Sequence, residues 1–425
     1  MIQILKYGEV SKEQLLCRSA SAGGVEQAVA GIIAEVRKHG DGALRAYSEK
    51  FDRVKLDALE VSQAELAAAR AAVSPELLAV MQRAAENIRA YHEKQLRSSY
   101  MLTGADGIVI GQRVIPLERV GVYVPGGTAS YPSTVLMDCI PAKLAGVGEL
   151  IMVSPATGGA ISPVILAAAQ LAGVDRIFKL GGAQAIAALA YGTESVPRVD
   201  KIVGPGSAYV AEAKKQVFGQ VAIDMIAGPS EILVIADSGA NAAFVAADLL
   251  SQAEHDRMAT AILLTDSADL AAAVQRELET QLAALPRAQI ARASIDQNGK
   301  IILTDSITQA VALANELAPE HLELSVDAPF DYLDQIQNAG SVFLGRYSCE
   351  SLGDYYAGPN HTLPTMGTAR FSSPLGVDDF VKKSSFTYYT RQALLRAADD
   401  VALFAESEGL QAHARAVTIR KEALQ

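Results

Sequence analysis

Four of the six histidines in this 425-residue chain, His255, His321, His361 and His413, lie beyond residue 250, and each has a carboxylate within seven positions: Glu254, Glu320, Asp354 and Glu408. Imidazole and carboxylate together can hold a divalent metal or move protons near neutral pH. Gln252 and His255 stand three apart, which places both on one helical face, able to grip one ion. A helix end whose polar groups only cap and solvate has the same spacing. Asp354 and His361 fall in Gly353-Asp354-Tyr355-Tyr356-Ala357-Gly358-Pro359-Asn360-His361, a run too rich in turn formers to read as helix or central strand. Its carboxylate and imidazole suit zinc, with an Asp-led turn as the alternative. Glu320 and His321 follow a helix ending near Leu317 and could divide labour as two bases, although a helix C-terminus favours histidine by its dipole alone. Glu408 and His413 would be separated by about 140° on a continuous helix, unless Gly409 lets Glu408 sit on the approach to it.

Elements must hold these groups in place. Residues 24–96 read as mostly helix, with apolar residues at three-to-four spacing from Val25 to Val36 and a start signal at Ser74-Pro75-Glu76. From Gly121 onward, short β-rich runs alternate with apolar helices: strands at Leu150–Val153, Arg176–Leu180 and Lys201–Val203, then at Glu231–Ala236, Ala261–Thr265, Lys300–Thr304 and Ser341–Leu344. Helices fall between them, including Ala242 to about His255 and Ile307–Leu317. Two α/β units follow. Glycines cluster where strands are expected to end, at Pro125-Gly126-Gly127, Gly181-Gly182, Gly204-Pro205-Gly206-Ser207 and Ala227-Gly228-Pro229-Ser230-Glu231. Such turns let backbone amides approach a phosphate, or simply make the turn. The tail from Phe371 is more polar, has too little apolar content for a core of its own, and must pack on its own body or on a second subunit.

Composition narrows the function. Half the residues are hydrophobic and the net charge is −11, which excludes a nucleic-acid binder that needs a basic face and favours a small substrate. Neither a signal peptide nor a membrane span is evident, so a cytoplasmic location is expected. Cys17, Cys139 and Cys349 are too dispersed for a disulfide framework or a thiolate zinc site. Cys139 lies in an apolar stretch and reads as a buried, inert thiol.

In order along the chain, Gly121-Val122-Tyr123-Val124-Pro125-Gly126-Gly127, Ser133-Thr134-Val135-Leu136-Met137, Gly181-Gly182-Ala183-Gln184-Ala185, Ala227-Gly228-Pro229-Ser230-Glu231, Ser251-Gln252-Ala253-Glu254-His255, Ala318-Pro319-Glu320-His321-Leu322-Glu323 and Gly353 through His361 resemble the histidinol dehydrogenase family over nearly the whole length. The resemblance implies an α/β fold of two incomplete Rossmann-like parallel-sheet domains, with small N- and C-terminal helical appendages, in an intertwined homodimer. It divides the chain into an arm (1–20), a discontinuous first domain (21–122 with 231–370), a second domain (123–230) and a tail (371–425) that reaches the partner's site. It implies Zn²⁺ held by Gln252, His255, Asp354 and the partner's His413. L-histidinol would be contacted by these and by Ser230, His321, His361 and Glu408, and NAD by Tyr123 and Gln184. The family usually has Asn where this chain has Ser207, a cofactor position, so weaker or water-bridged NAD binding is expected.

The implied reaction takes L-histidinol through L-histidinaldehyde to L-histidine with two NAD⁺ in succession. His321 is expected to take the alcohol proton and later that of the aldehyde hydrate, Glu320 to activate water, and zinc to act as a template for the substrate's imidazole and amine. Three rivals stand beside it: a paralogue acting on another small alcohol such as a sulfonated diol, a metallohydrolase, and an inactive assembly protein. Glu408 and His361 match the histidinol-binding set and weigh against the diol.

Overall fold

Runs such as Glu231-Ile232-Leu233-Val234-Ile235-Ala236, buried along their whole length, belong in parallel sheets covered on both faces. The computed structural model describes residues 1–11, 14–15, 24–126 and 130–424; Cys17, Gly127 and part of the expected N-terminal arm lie outside the described residues. The strands are β1 Gln3–Lys6, β2 Tyr100–Thr103, β3 Val109–Pro116, β4 Arg119–Tyr123, β5 Glu149–Ser154, β6 Arg176–Lys179, β7 Lys201–Val203, β8 Ala222–Ile223, β9 Glu231–Ala236, β10 Thr260–Thr265, β11 Lys300–Leu303, β12 His321–Ser325, β13 Ser341–Leu344 and β14 Val381–Tyr388. The chain forms two compact units, Met1–Gln95 with Leu117–Phe380, and Leu96–Pro116 with Val381–Gln425.

The first unit contains two sheets, in the orders β6-β5-β4-β7-β8 and β1-β11-β10-β9-β12-β13, parallel throughout. Apart from β1, each reads 3-2-1-4-5 in its own chain order, the doubly wound α/β arrangement, with the winding reversing between β4 and β7 and between β9 and β12. The two faces of β9 feed different layers. Ile232, Val234 and Ala236 pack with helices Ala242–Ala253, Ala268–Leu282 and Ala288–Asn298, while Leu233 and Ile235 pack with helix Ile307–Leu317.

The packing departs from the division read in the sequence. Helix Glu26–Tyr47 buries Val29, Ile32, Ile33 and Val36 in one cluster with Ile151, Val153 and Ile186 of the five-stranded half, not with residues 231–370. Its apolar stripe demands a partner face, but periodicity does not say which one. The boundary at 122–123 cuts β4, a central strand, and the arm supplies β1 as an edge strand beside β11.

In the second unit, β14 and β2 flank β3 in an antiparallel sheet, and helices Arg391–Ser407 and Gln411–Leu424 pack against each other. The C-terminal appendage is therefore not purely helical. Val381-Lys382-Lys383-Ser384-Ser385 is a mostly exposed, polar strand and carries none of the hydrophobic alternation that marks a strand in sequence. Thr390 caps the first helix by accepting the Ala393 N–H, and Gly409, at φ +77°, ends it just after Glu408.

Candidate functional site

Two edges of the first unit gather the candidate residues other than Glu408 and His413. Ser230 precedes β9 and His321 opens β12, in register with Ile232, so the metal and base candidates stand at the N-terminal edge of the six-stranded sheet. The cluster Ala227–Glu231 accordingly leads into a strand rather than ending one. Gln252 lies in the last turn of helix Ala242–Ala253, and His255 follows in a turn where its N–H donates to the Gln252 carbonyl. Asp354 lies on a short helix, Glu350–Tyr355, and not in the loop its turn formers indicated. Gly353 is tolerated there because a β-carbon would come within 2.6 Å of the Phe343 ring, so close packing selects it. The loop beyond is anchored where Asn87 Nδ2 donates to the Tyr356 carbonyl at 2.8 Å.

His321 is buried. Its Nδ1 lies 3.0 Å from the Glu231 carbonyl and 3.0 Å from Gln252 Nε2; Nδ1–H donating to the carbonyl leaves Nε2 facing Asp354 Oδ1 at 3.6 Å. Glu320 Oε2 accepts the Glu231 N–H at 2.8 Å and stands 3.7 Å from His321 Nδ1. The adjacent pair therefore converges instead of pointing apart, because the chain bends at Glu320 as it enters β12. His361 Nδ1 is 3.8 Å from Asp354 Oδ1, and its Nε2 is 3.3 Å from Thr134 Oγ1.

The electrostatics follow from burial among acids. Burial pushes Glu320 up to about 8 and Glu350 up to about 7. Burial also lowers His255 and His361. On His321 burial acts downward, but Glu320, Asp354 and Glu350 outweigh it and hold the ring well above its ordinary value. Burial would raise Asp354, yet the hydrogen bond to His321 and the charges of three histidines bring it below the usual carboxylate value.

A metal fits this donor set. His255, Glu350 and Asp354 each offer a ligand atom, all within 4.8 Å of one another, and Gln252 Oε1 is a buried oxygen with no hydrogen-bond partner. Mixed nitrogen and oxygen donors suit Zn²⁺ and neighbouring first-row ions. Sequence reasoning missed Glu350. Its signal was the four-residue spacing to Asp354, which shares a face only if the segment is helical.

The second edge lies at the C-terminal ends of the five-stranded sheet. Tyr123 closes β4, and its hydroxyl accepts the Gly182 N–H at 3.1 Å; burial pushes that hydroxyl up to about 12. Gln184 is buried in the first turn of helix Gly182–Tyr191. Gly204, after β7, has φ +109°, and a β-carbon there would lie 2.1 Å from the Tyr123 carbonyl. A buried ion pair between Lys214 and Asp224 grips Gly204 at both ends: Lys214 Nζ donates to its carbonyl at 2.9 Å and its N–H donates to Asp224 Oδ2 at 2.8 Å. Ser207 opens helix Ala208–Val217 with its hydroxyl making no capping bond. Glycine turns at a winding reversal and a helix N-terminus form the arrangement in which doubly wound sheets take nucleotides.

The histidinol dehydrogenase family model matches residues 17–421. The chain is 59% identical over 399 residues to a histidinol dehydrogenase of Syntrophotalea carbinolica, covering 93% of each, and 56% identical to one of Geobacter sulfurreducens, again over 93% of each. The chain belongs to the histidinol dehydrogenase family. The crystal structure of a histidinol dehydrogenase from Elizabethkingia anophelis superposes with a TM-score of 0.95 at 42% identity, covering 100% of this chain and 98% of the other. An acetylating aldehyde dehydrogenase from Geobacillus thermoglucosidasius, at 13% identity and a TM-score of 0.50 over 87% of this chain and 99% of its own, shares the fold alone.

Of the residues the histidinol dehydrogenase resemblance implied, Gln252, His321, Asp354 and His361 are linked by the distances above, and His255 joins them through Asp354. Glu408 and His413 belong to the second unit. Both are exposed, Glu408 at the end of helix Arg391–Ser407 and His413 in the first turn of Gln411–Leu424. Cys139 is wholly buried, and burial pushes its thiol well up, in keeping with an inert group.

Proposed function

We propose that this chain oxidises L-histidinol to L-histidine through L-histidinaldehyde, as an NAD- and zinc-dependent oxidoreductase of histidine biosynthesis acting in the cytoplasm. Family membership over residues 17–421 supports the substrate. The observation that carries the chemistry is the convergence of Glu320, His321 and Asp354 beside the partnerless Gln252 oxygen. Among the described residues, no helix is long and apolar enough to cross a membrane.

Four electrons leave the substrate carbinol carbon as two hydrides, and one water adds between them. His321 takes the hydroxyl proton at Nε2, since the Glu231 carbonyl holds Nδ1–H, gives that proton up to water before the second oxidation, and then takes the proton of the aldehyde hydrate. Glu320 is held on the Glu231 N–H by Oε2, and its other oxygen draws the proton from water in the second step. Gln252, His255 and Asp354 would hold zinc with His413 of the partner subunit, and Glu350 lies close enough to join them. When bound, zinc would fix the substrate's imidazole and amine, and its charge would offset the carboxylates that raise the proton affinity of His321. NAD⁺, accepting each hydride in turn, would lie against Tyr123, Gln184 and Ser207. Ser230 and His361 would orient the substrate, and Glu408 of the partner subunit would meet its ammonium group. A homodimer with shared sites is supported by large apolar side chains exposed on the second unit, among them Met101, Leu102, Leu403 and Phe404.

Purified protein supplied with L-histidinol and NAD⁺ is expected to form two NADH per histidine. No NADH from histidinol, with turnover of a diol from a comparison panel, would overturn the substrate. Hydrolysis independent of nicotinamide would overturn the class.

A further inference from the structure

The loop that carries His361 is fastened to the five-stranded half of the unit by a residue with no part in the chemistry above. Helix Pro132–Ala145 presents Thr134 and Asp138, one turn apart and both buried, on the same face. Asn360 Nδ2 donates to the Met137 carbonyl at 2.7 Å, and the Thr362 hydroxyl donates to Asp138 Oδ1 at 2.6 Å. Between those two anchors stands His361, with Thr134 Oγ1 at 3.3 Å from its Nε2. One helix therefore grips the loop on both sides of the histidine. The Thr362 N–H closes the grip by donating to Asn360 Oδ1 at 2.8 Å.

A carboxylate is an unexpected anchor here. Asp138 is wholly buried, and its Oδ2 has no hydrogen-bond partner. The nearby cation, Lys214, is already paired with Asp224. With no charge of its own to balance it, the carboxyl is best kept as the neutral acid, and burial pushes it up to about 8 despite the Thr362 bond. Its Oδ2 lies 3.2 Å from where a β-carbon on Gly204 would stand, so a side chain at that position would crowd the carboxyl.

We propose that Asp138 is a positioning residue for substrate, setting through Thr362 where the His361 ring stands. The inference rests on the reading of His361 as a histidinol contact. Removing the anchor frees the loop while leaving every group that touches substrate, so the loss appears in substrate binding rather than in hydride transfer.

Asp138→Ala and Thr362→Val are each expected to raise KM for histidinol about tenfold, the scale of one buried hydrogen bond, with KM for NAD changed less than about twofold. The double variant should be no worse than Asp138→Ala, because both remove one contact. Asp138→Asn, which matches the neutral acid in shape and keeps an acceptor, should restore wild-type KM. Amide exchange at Thr362, read without substrate, should speed in Asp138→Ala and Thr362→Val and not in Asp138→Asn. Additive effects in the double variant, an unchanged histidinol KM in both single variants, or unchanged exchange at Thr362 would overturn the inference. A wild-type protein that does not turn over histidinol would instead sink the functional reading, and the exchange measurement would still decide the loop anchor.

Discussion

Replacing Lys214 by Met tests whether the Gly204 turn, proposed to receive NAD, depends on the buried ion pair that grips it. Lys214 is 2% exposed and Asp224 1% at the side chain, so removing the cation strands a carboxylate away from water. Breaking one partner of a buried pair costs about 3–5 kcal/mol. The lower end applies here, because Asp224 keeps two amide donors, Gly204 N–H at 2.8 Å and Met225 N–H at 2.6 Å. The chain has no tryptophan, so urea unfolding is followed by circular dichroism. With a slope of about 3 kcal/mol per molar urea or steeper for a chain of this size, the midpoint should fall by up to about 1 M. Removing the stranded charge as well, in Lys214→Met with Asp224→Asn, should recover part of that loss. Loss of the grip on the Gly204 carbonyl should also weaken NAD binding. A midpoint within about 0.2 M of wild type, with NAD affinity unchanged, would refute the reasoning.

Glu320→Gln keeps an acceptor for the Glu231 N–H and should spare alcohol oxidation while slowing aldehyde oxidation about 10²–10⁴-fold; equal losses in the two half-reactions, followed separately by NADH release, would count against the assignment. Mixing His255→Ala and His413→Ala chains, each inactive alone, should regain about a quarter of wild-type activity, since half of randomly mixed dimers carry one intact shared site, whereas no regain would show that His413 acts within its own chain, and full activity of His413→Ala alone would remove it from the site. Ser207→Asn should tighten NAD binding several-fold by titration. Burial would raise Asp41, but hydrogen bonds from Ser195 and Thr193 and the charge of Arg45 together bring it below its usual 3.8. Its stabilising effect is therefore present above that value and lost as pH falls through the folded one. The stability gap between wild type and Asp41→Asn, measured by urea midpoint, should be open at neutral pH and close in strong acid.

Much of the scaffold was legible because parallel sheets buried on both faces need continuous apolar runs. Leu150–Val153, Glu231–Ala236 and Ile307–Leu317 appear within a residue or two of their observed bounds. β12 escaped notice, since His321 and Glu323 interrupt its apolar pattern and both are buried for reasons a single sequence does not display. The helix at Glu350–Tyr355 was hidden by Gly353, a turn former by type that is there for close packing against Phe343. Glu350 was lost with it.

Residue types and spacing by themselves established the kinds of chemistry open to this chain: two alternating α/β stretches, a scarce set of histidines each near an acid, and motifs that together mark one family. That information is local, carried by period, turn chemistry and side-chain type. Which acid faces which imidazole was decided only by tertiary structure, because β9 and β12 become neighbours across about ninety residues and bring Glu231, Gln252, His321 and Asp354 together at one sheet edge. Burial at that edge raises Glu320 and lowers His361, and the environment that shifts a proton is made by packing, which no stretch of sequence contains.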